Sequence, residues 1–210
     1  MDVLGRSRLI DRLRDHSLVV SPILSFRQIN SASIDLRMGN VALIVRARGS
    51  SHVDPADWKE QAKAADLHAA EFYRQQKHER YEIPFGTRIL LHPGSLTLVP
   101  AFEWLKLPSD LLGSVTARST WAREGLSIAT ATLIEPGYQG MITLELANLG
   151  QIPLALYPGQ RIAQITFTTV EGDTSRPEAS QFKMSFEPRQ GRIADEDDFV
   201  FIPNRPDRTT

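Results

Sequence analysis

The chain has 210 residues, 41% of them hydrophobic, enough for one medium domain with a proper core or a domain with an elaboration. Twenty-four basic side chains oppose 25 acidic ones, for a formal net charge of -1, so there is no electrostatic case for long nucleic acid or an anionic membrane as partner. Cysteine is absent, which excludes disulfides and thiolate metal sites and agrees with a reducing, cytoplasmic setting. No signal-peptide core and no run long enough to span a bilayer is present.

In chain order, residues 7–15 read as an N-terminal helix with Leu9, Ile10 and Leu13 on one face. Residues 17–24 are strand-like, with a break at Pro22. In S-A-S-I-D-L-R-M-G-N (31–40), Ile34, Leu36 and Met38 alternate with Asp35 and Arg37, the period of a half-buried strand. Asp35 and Arg37 share a face, and a structural ion pair between them is favoured over ligand contact. Gly39-Asn40 is a turn signal, and residues 41–45 return as the next strand. Residues 46–82 break this rhythm. Asp54 and Pro55 mark a helix start, and residues 58–76 are rich in helix formers, which predicts an inserted helix packed on the surface or on a neighbouring subunit.

From Arg88 the β rhythm resumes. Residues 89–100 read as strand, His-Pro-Gly turn, strand, and residues 102–107 as a further strand. Residues 140–167 add two or three more, with bends at Pro153 and Pro158-Gly159. Short strands joined by Gly and Pro turns indicate a mainly β sandwich, jelly roll or barrel. The expected division is a β domain over 1–170, interrupted by the 46–82 insertion, and a lid or tail over 171–210.

Polar groups gather in 115–167. Ser119 is an N-cap candidate for a helical turn over 120–124, flanked by Arg118 and Arg123. Free N–H groups and two arginines would suit a phosphate, although on spacing alone an ordinary capped turn with solvated arginines is favoured. Glu145 lies between Leu144 and Leu146, so alternation turns it away from them with Thr143 and Ala147, or else it is a buried general acid/base. Tyr138 fits either a core position or a flat platform for a sugar. Zinc deaminase motifs and Walker, Rossmann and nucleophile-elbow motifs are all missing from the sequence.

Four ordered stretches then carry a resemblance: S-A-S-I-D-L-R-M-G-N, A-R-S-T-W-A-R-E-G-L, I-E-P-G-Y-Q-G-M-I-T-L-E-L-A-N and P-G-Q-R-I-A-Q-I. Together they resemble the dCTP deaminase branch of the dUTPase-like superfamily, over roughly residues 3–45 and 89–167. The resemblance implies a distorted β-barrel or jelly-roll subunit in a homotrimer with active sites between subunits. It implies zinc-independent deamination of dCTP to dUTP and ammonia, with Glu145 as general acid/base and Ser119, Arg123 and the Ala131 backbone placing the water. Arg118, Ser119, Thr120 and Arg123 match the triphosphate segment. Glu135 and Tyr138 match sugar contacts, Thr143 and Leu144 the base, and Lys183 and Gln190 the lid. No protein metal cage is implied; Mg²⁺ would arrive with the triphosphate. Glu135 replaces the family's aspartate, Glu178 stands where a lid tyrosine is expected, and the 46–82 insertion is long for the family. The ranked alternatives are dUTP pyrophosphatase or bifunctional activity, and a non-catalytic nucleotide-binding regulator.

Overall fold

Two long antiparallel strands, β6 (Leu96–Lys106) and β10 (Gln139–Asn148), form the spine of the molecule. They belong to a computed structural model that describes residues 2–46, 78–129, 133–174 and 184–188. Around the spine run α1 (Arg6–Arg14), β1 (Val19–Ser21), a 3-10 turn (Phe26–Gln28), β2 (Ile34–Arg37), β3 (Val41–Val45), β4 (His78–Glu82) and β5 (Ile89–Leu91). The remaining elements are β7 (Leu111–Ala117), α2 (Ser119–Arg123), β8 (Leu126–Ile128), β9 (Leu133–Ile134), β11 (Leu154–Leu156) and β12 (Arg161–Thr169).

One sheet has the order β4-β3-β6-β10-β8, with β1 also paired to β6. A second has the order β2-β12-β7-β9, and β5 pairs with β11. Leu105, Ile142, Leu144 and Leu146 of the first sheet and Ile34, Val115, Ile165 and Phe167 of the second enter one core cluster. Each such side chain, fully buried, contributes about 1.5–3 kcal/mol. The fold is therefore mainly β, as the turn spacing implies, and Leu9 of α1 is fully buried beneath it with Ile10 and Leu13 packed alongside.

Three local expectations are corrected. Residues 96–106 form one strand, not two, because Pro100 sits where the β6–β10 register shifts between Met141 and Thr143. A proline has no N–H for the ladder, and an irregularity is where a strand tolerates that loss. Strand β2 is buried at all four positions rather than half-buried. Asp35 and Arg37 do not pair with each other: Arg37 bonds Glu103, and Asp35 bonds Arg118 and Arg161. The Gly39 turn is a close approach; a Cβ there would lie 2.7 Å from Pro100 Cγ.

The chain divides into two compact units, Met1–Ile44 with Arg80–Arg189, and Val45–Glu79 with Gln190–Thr210. In the second, Arg46 and Glu79 form an ion pair at 2.8 Å. The helix expected over 58–76, with its Asp54 and Pro55 start, and the tail beyond residue 188 lie outside the described residues.

Candidate active site

Strand β10 is where core and site meet. Its burial alternates strictly: Leu144, Leu146 and Asn148 are buried, while Thr143, Glu145 and Ala147 are half-buried on the other face. Alternation thus places Glu145 on a partly screened surface rather than in the core. Its main-chain carbonyl accepts from Ala129 N at 2.7 Å. Its carboxylate has no hydrogen-bond or ion-pair partner among the described residues. Leu144, fully buried, faces the core, so only its backbone shares this strand surface.

Helix α2 crosses from the second sheet to the first, leaving β7 and entering β8, which pairs with β10 through Leu146 and Ile128. The helix begins one residue earlier than the capping pattern indicates. Arg118, not Ser119, is the N-cap; its carbonyl accepts from Trp121 N and Ala122 N, both at 2.9 Å. Arg118 makes no side-chain cap because its guanidinium is committed elsewhere: Nε lies 3.3 Å from Asp35 Oδ1. Ser119, Thr120 and Arg123 are exposed. Gly125 ends the turn at φ +95°, and a Cβ there would sit 2.6 Å from Gly150 N, so backbone contact fixes where α2 stops.

Tyr138 is half-buried, packs against the core, and donates its hydroxyl to Met141 O at 2.9 Å, which pins the ring. Glu135 is exposed in the preceding turn. Residues 184–188 run beside the start of β10, with Met184 N on Gln139 O at 2.7 Å and Met141 N on Ser185 O at 2.8 Å. This brings part of the 171–210 segment to the strand that carries Glu145. Ala131, Lys183 and Gln190 lie outside the described residues.

A second polar constellation escaped the sequence reading. Glu103 is fully buried, and Arg37 donates to it from N at 2.8 Å and from Nη1 at 2.9 Å. Gln28, also buried, donates to Glu103 Oε1 at 2.8 Å and to Asp35 O at 2.9 Å, and accepts from Arg37 Nη1. Burial pushes the Glu103 carboxyl above its ordinary pKa, and the bonds from Arg37 pull it partly back. Gln28 ties the cluster to the Asp35 main chain, and the Asp35 carboxylate in turn pairs with Arg118. The only sequence signal was a glutamate inside the apolar run A-F-E-W-L. Among the described residues no three His, Asp or Glu side chains come together as a metal cage, and no helix is long and apolar enough to cross a membrane.

Comparison with known proteins bears on this arrangement. A family model described as dCTP deaminase-like matches residues 3–170. A protein of Methanosphaera stadtmanae named "dCTP deaminase, dUMP-forming" is 35% identical over 178 residues, 84% of each chain. A dCTP deaminase of Pectobacterium atrosepticum is 34% identical over 193 residues, covering 89% of this chain and 96% of that one. The crystal structure of 2'-deoxycytidine 5'-triphosphate deaminase from Agrobacterium tumefaciens shares the fold, with TM-score 0.56 and 23% identity over 79% of this chain. The chain spans 47% of the length of that solved protein. On the extent of the family match and the identity to these relatives, the chain belongs to the dCTP deaminase-like family.

Proposed function

We propose that the protein is an enzyme that hydrolytically deaminates dCTP to dUTP and ammonia, with Glu145 as general acid/base and no zinc. One observation carries this reading. In a family named for the reaction, Glu145 presents a half-buried carboxylate that no side chain occupies among the described residues, between the buried Leu144 and Leu146. Such a group is held in place by its strand and free to bind water and substrate.

In the proposed cycle Glu145 accepts a proton from a water placed by Ser119, Arg123 and the Ala131 backbone. The resulting hydroxide adds at C4 of cytosine. The proton passes from Glu145 to the departing amino group, the C4–N bond breaks and ammonia leaves, and the C4 hydroxyl gives up its proton to N3 as the C4 carbonyl forms. Thr143 and the Leu144 backbone line the base, and Tyr138 and Glu135 the sugar. Arg118, Ser119, Thr120 and Arg123 grip the triphosphate, and Lys183 and Gln190 close over it from the 171–210 lid. A bound Mg²⁺ would neutralise phosphate charge; oxygen ligands from the triphosphate and water suit it without a protein cage. The exposure of Ser119, Thr120 and Arg123, with Leu24, Phe26 and Leu133 also exposed, supports a homotrimer whose sites lie between subunits.

A second reading is favoured by two relatives: the Methanosphaera stadtmanae protein and one of Methanobrevibacter smithii both bear a dUMP-forming name, so continuation from dUTP to dUMP and pyrophosphate is the alternative. The deciding experiment incubates the protein with dCTP and Mg²⁺ and identifies products by mass. dUTP plus ammonia supports the first reading, and dUMP plus pyrophosphate the second. Binding of dCTP with no product would leave a nucleotide-binding regulator and overturn both.

A further inference from the structure

Asp35 organises two arginines, and only Arg118 has so far been given a role. Arg161 opens β12, opposite Arg37 of β2, and its Nη1 lies 3.0 Å from Asp35 Oδ2. The same Nη1 also reaches Arg27 O at 3.4 Å. Arg118 approaches the other carboxylate oxygen, which Asn30 Nδ2 also holds at 2.9 Å. The two arginines are neighbours in the ladder, because Arg118 N donates to Ile162 O at 2.9 Å. Asp35 is 1% exposed, whereas the arginine side chains are 31% and 38% exposed.

That difference in exposure sets the geometry. A buried carboxylate anchors the inner edge of each guanidinium, and the outer edges reach solvent. Two cations against one anion leave one positive charge in excess. Asp35 already has Arg118 and Asn30, so neutralising it does not by itself require Arg161. A guanidinium carries five N–H donors in a plane. Among the described residues, the outer Nη groups of Arg118 and the Nη2 of Arg161 bond nothing. Paired, pre-oriented forks of this kind match the oxygens of a polyphosphate chain.

We propose that Arg161 is a further phosphate-binding residue, acting beside Arg118, and that Asp35 is the positioning residue that holds both guanidinium groups. This deepens the reading of the site as one for a nucleoside triphosphate and rests on it. The grip on the phosphate chain can nevertheless be measured without turnover.

The test uses the full chain, with inorganic tripolyphosphate as calorimetric probe and dCTP as kinetic substrate. Arg161→Gln raises the Kd for tripolyphosphate about tenfold, the scale of one charge-assisted contact partly open to water. It raises KM for dCTP in parallel while kcat stays within about twofold, because the contact exists in ground and transition states alike. Arg161→Lys keeps the charge but not the fork and recovers part of the loss, to about threefold. Should Arg161→Gln fail to fold, Arg161→Lys decides by the same split. An unchanged Kd for tripolyphosphate, a kcat that falls as far as KM rises, or no tripolyphosphate binding by the unmodified protein would overturn the assignment. If tripolyphosphate binds with the expected Arg161 dependence and dCTP yields no ammonia, the deaminase reading falls and the phosphate assignment stands.

Discussion

Glu103 and Glu145 are both carboxylates set into long apolar strands, and those strands, β6 and β10, pair with each other. Their surroundings differ completely. Glu103 is fully buried, with Arg37 bonded to both of its oxygens and Gln28 to one. Glu145 is half-buried and carries no side-chain partner among the described residues. A carboxylate taken wholly out of water must be satisfied by the protein, because an unpaired buried charge costs several kcal/mol. One that is to act on a substrate must keep its oxygens unspent. The fold builds both conditions within one sheet, and which carboxylate does which can be tested.

The comparison breaks most visibly at Glu145. Glu145→Gln keeps the shape and removes the base, so ammonia release from dCTP falls by about 10²- to 10⁴-fold while nucleotide affinity changes little. Turnover retained in a clean preparation would take Glu145 out of the chemistry. At the closed site the expected effect is on stability. Arg37→Met strips Glu103 of its cation and costs about 3–5 kcal/mol in urea unfolding. A loss below about 1 kcal/mol would mean that water or another group already serves that carboxylate.

Smaller effects sharpen the contrast. Gly125→Ala forces a Cβ into the Gly150 backbone at a positive φ and costs about 1–3 kcal/mol, read from the same unfolding curves. Because this turn fixes the end of α2, dCTP turnover falls with it. A variant as stable and active as the parent would show that α2 tolerates displacement. The smallest effect is on pH dependence. Glu103 has a folded pKa above its ordinary value of 4.5, chiefly through burial, so the folded state holds the proton more tightly than the unfolded one. Its contribution to stability is full below the unfolded value and is lost as pH rises through the raised folded value. Relative to Glu103→Gln, the parent therefore loses stability as pH climbs through that window. Parallel stability–pH curves for the two proteins would contradict the direction of the shift.

Much of this was legible before any coordinates, for physical reasons that differ by residue. Alternation in I-T-L-E-L-A-N put Glu145 and Thr143 on one face, since a strand has period two. The same period suggested that Asp35 and Arg37 pair. That failed because a buried strand has neighbours on every side, and Arg118, Arg161 and Glu103 come from strands or turns far along the chain. Gln28 and Glu103 are 75 positions apart, so no local pattern could join them. The start of α2 was missed by one residue because Ser119 has the better capping side chain, while the carbonyl geometry belongs to Arg118. The functional assignments to Ser119, Arg123 and Tyr138 came from the family resemblance, since the spacing of these residues also fits an ordinary surface turn.

On the proposed role of Glu145, the strict two-sidedness of β10 couples catalysis to folding. A slip of one position along that strand would drive Glu145 inward and turn Leu144 and Leu146 toward water. No misaligned form can therefore keep its oily interior while losing only the carboxylate, or the reverse. Deaminase turnover, wherever it is observed, doubles as an assay for correct strand alignment.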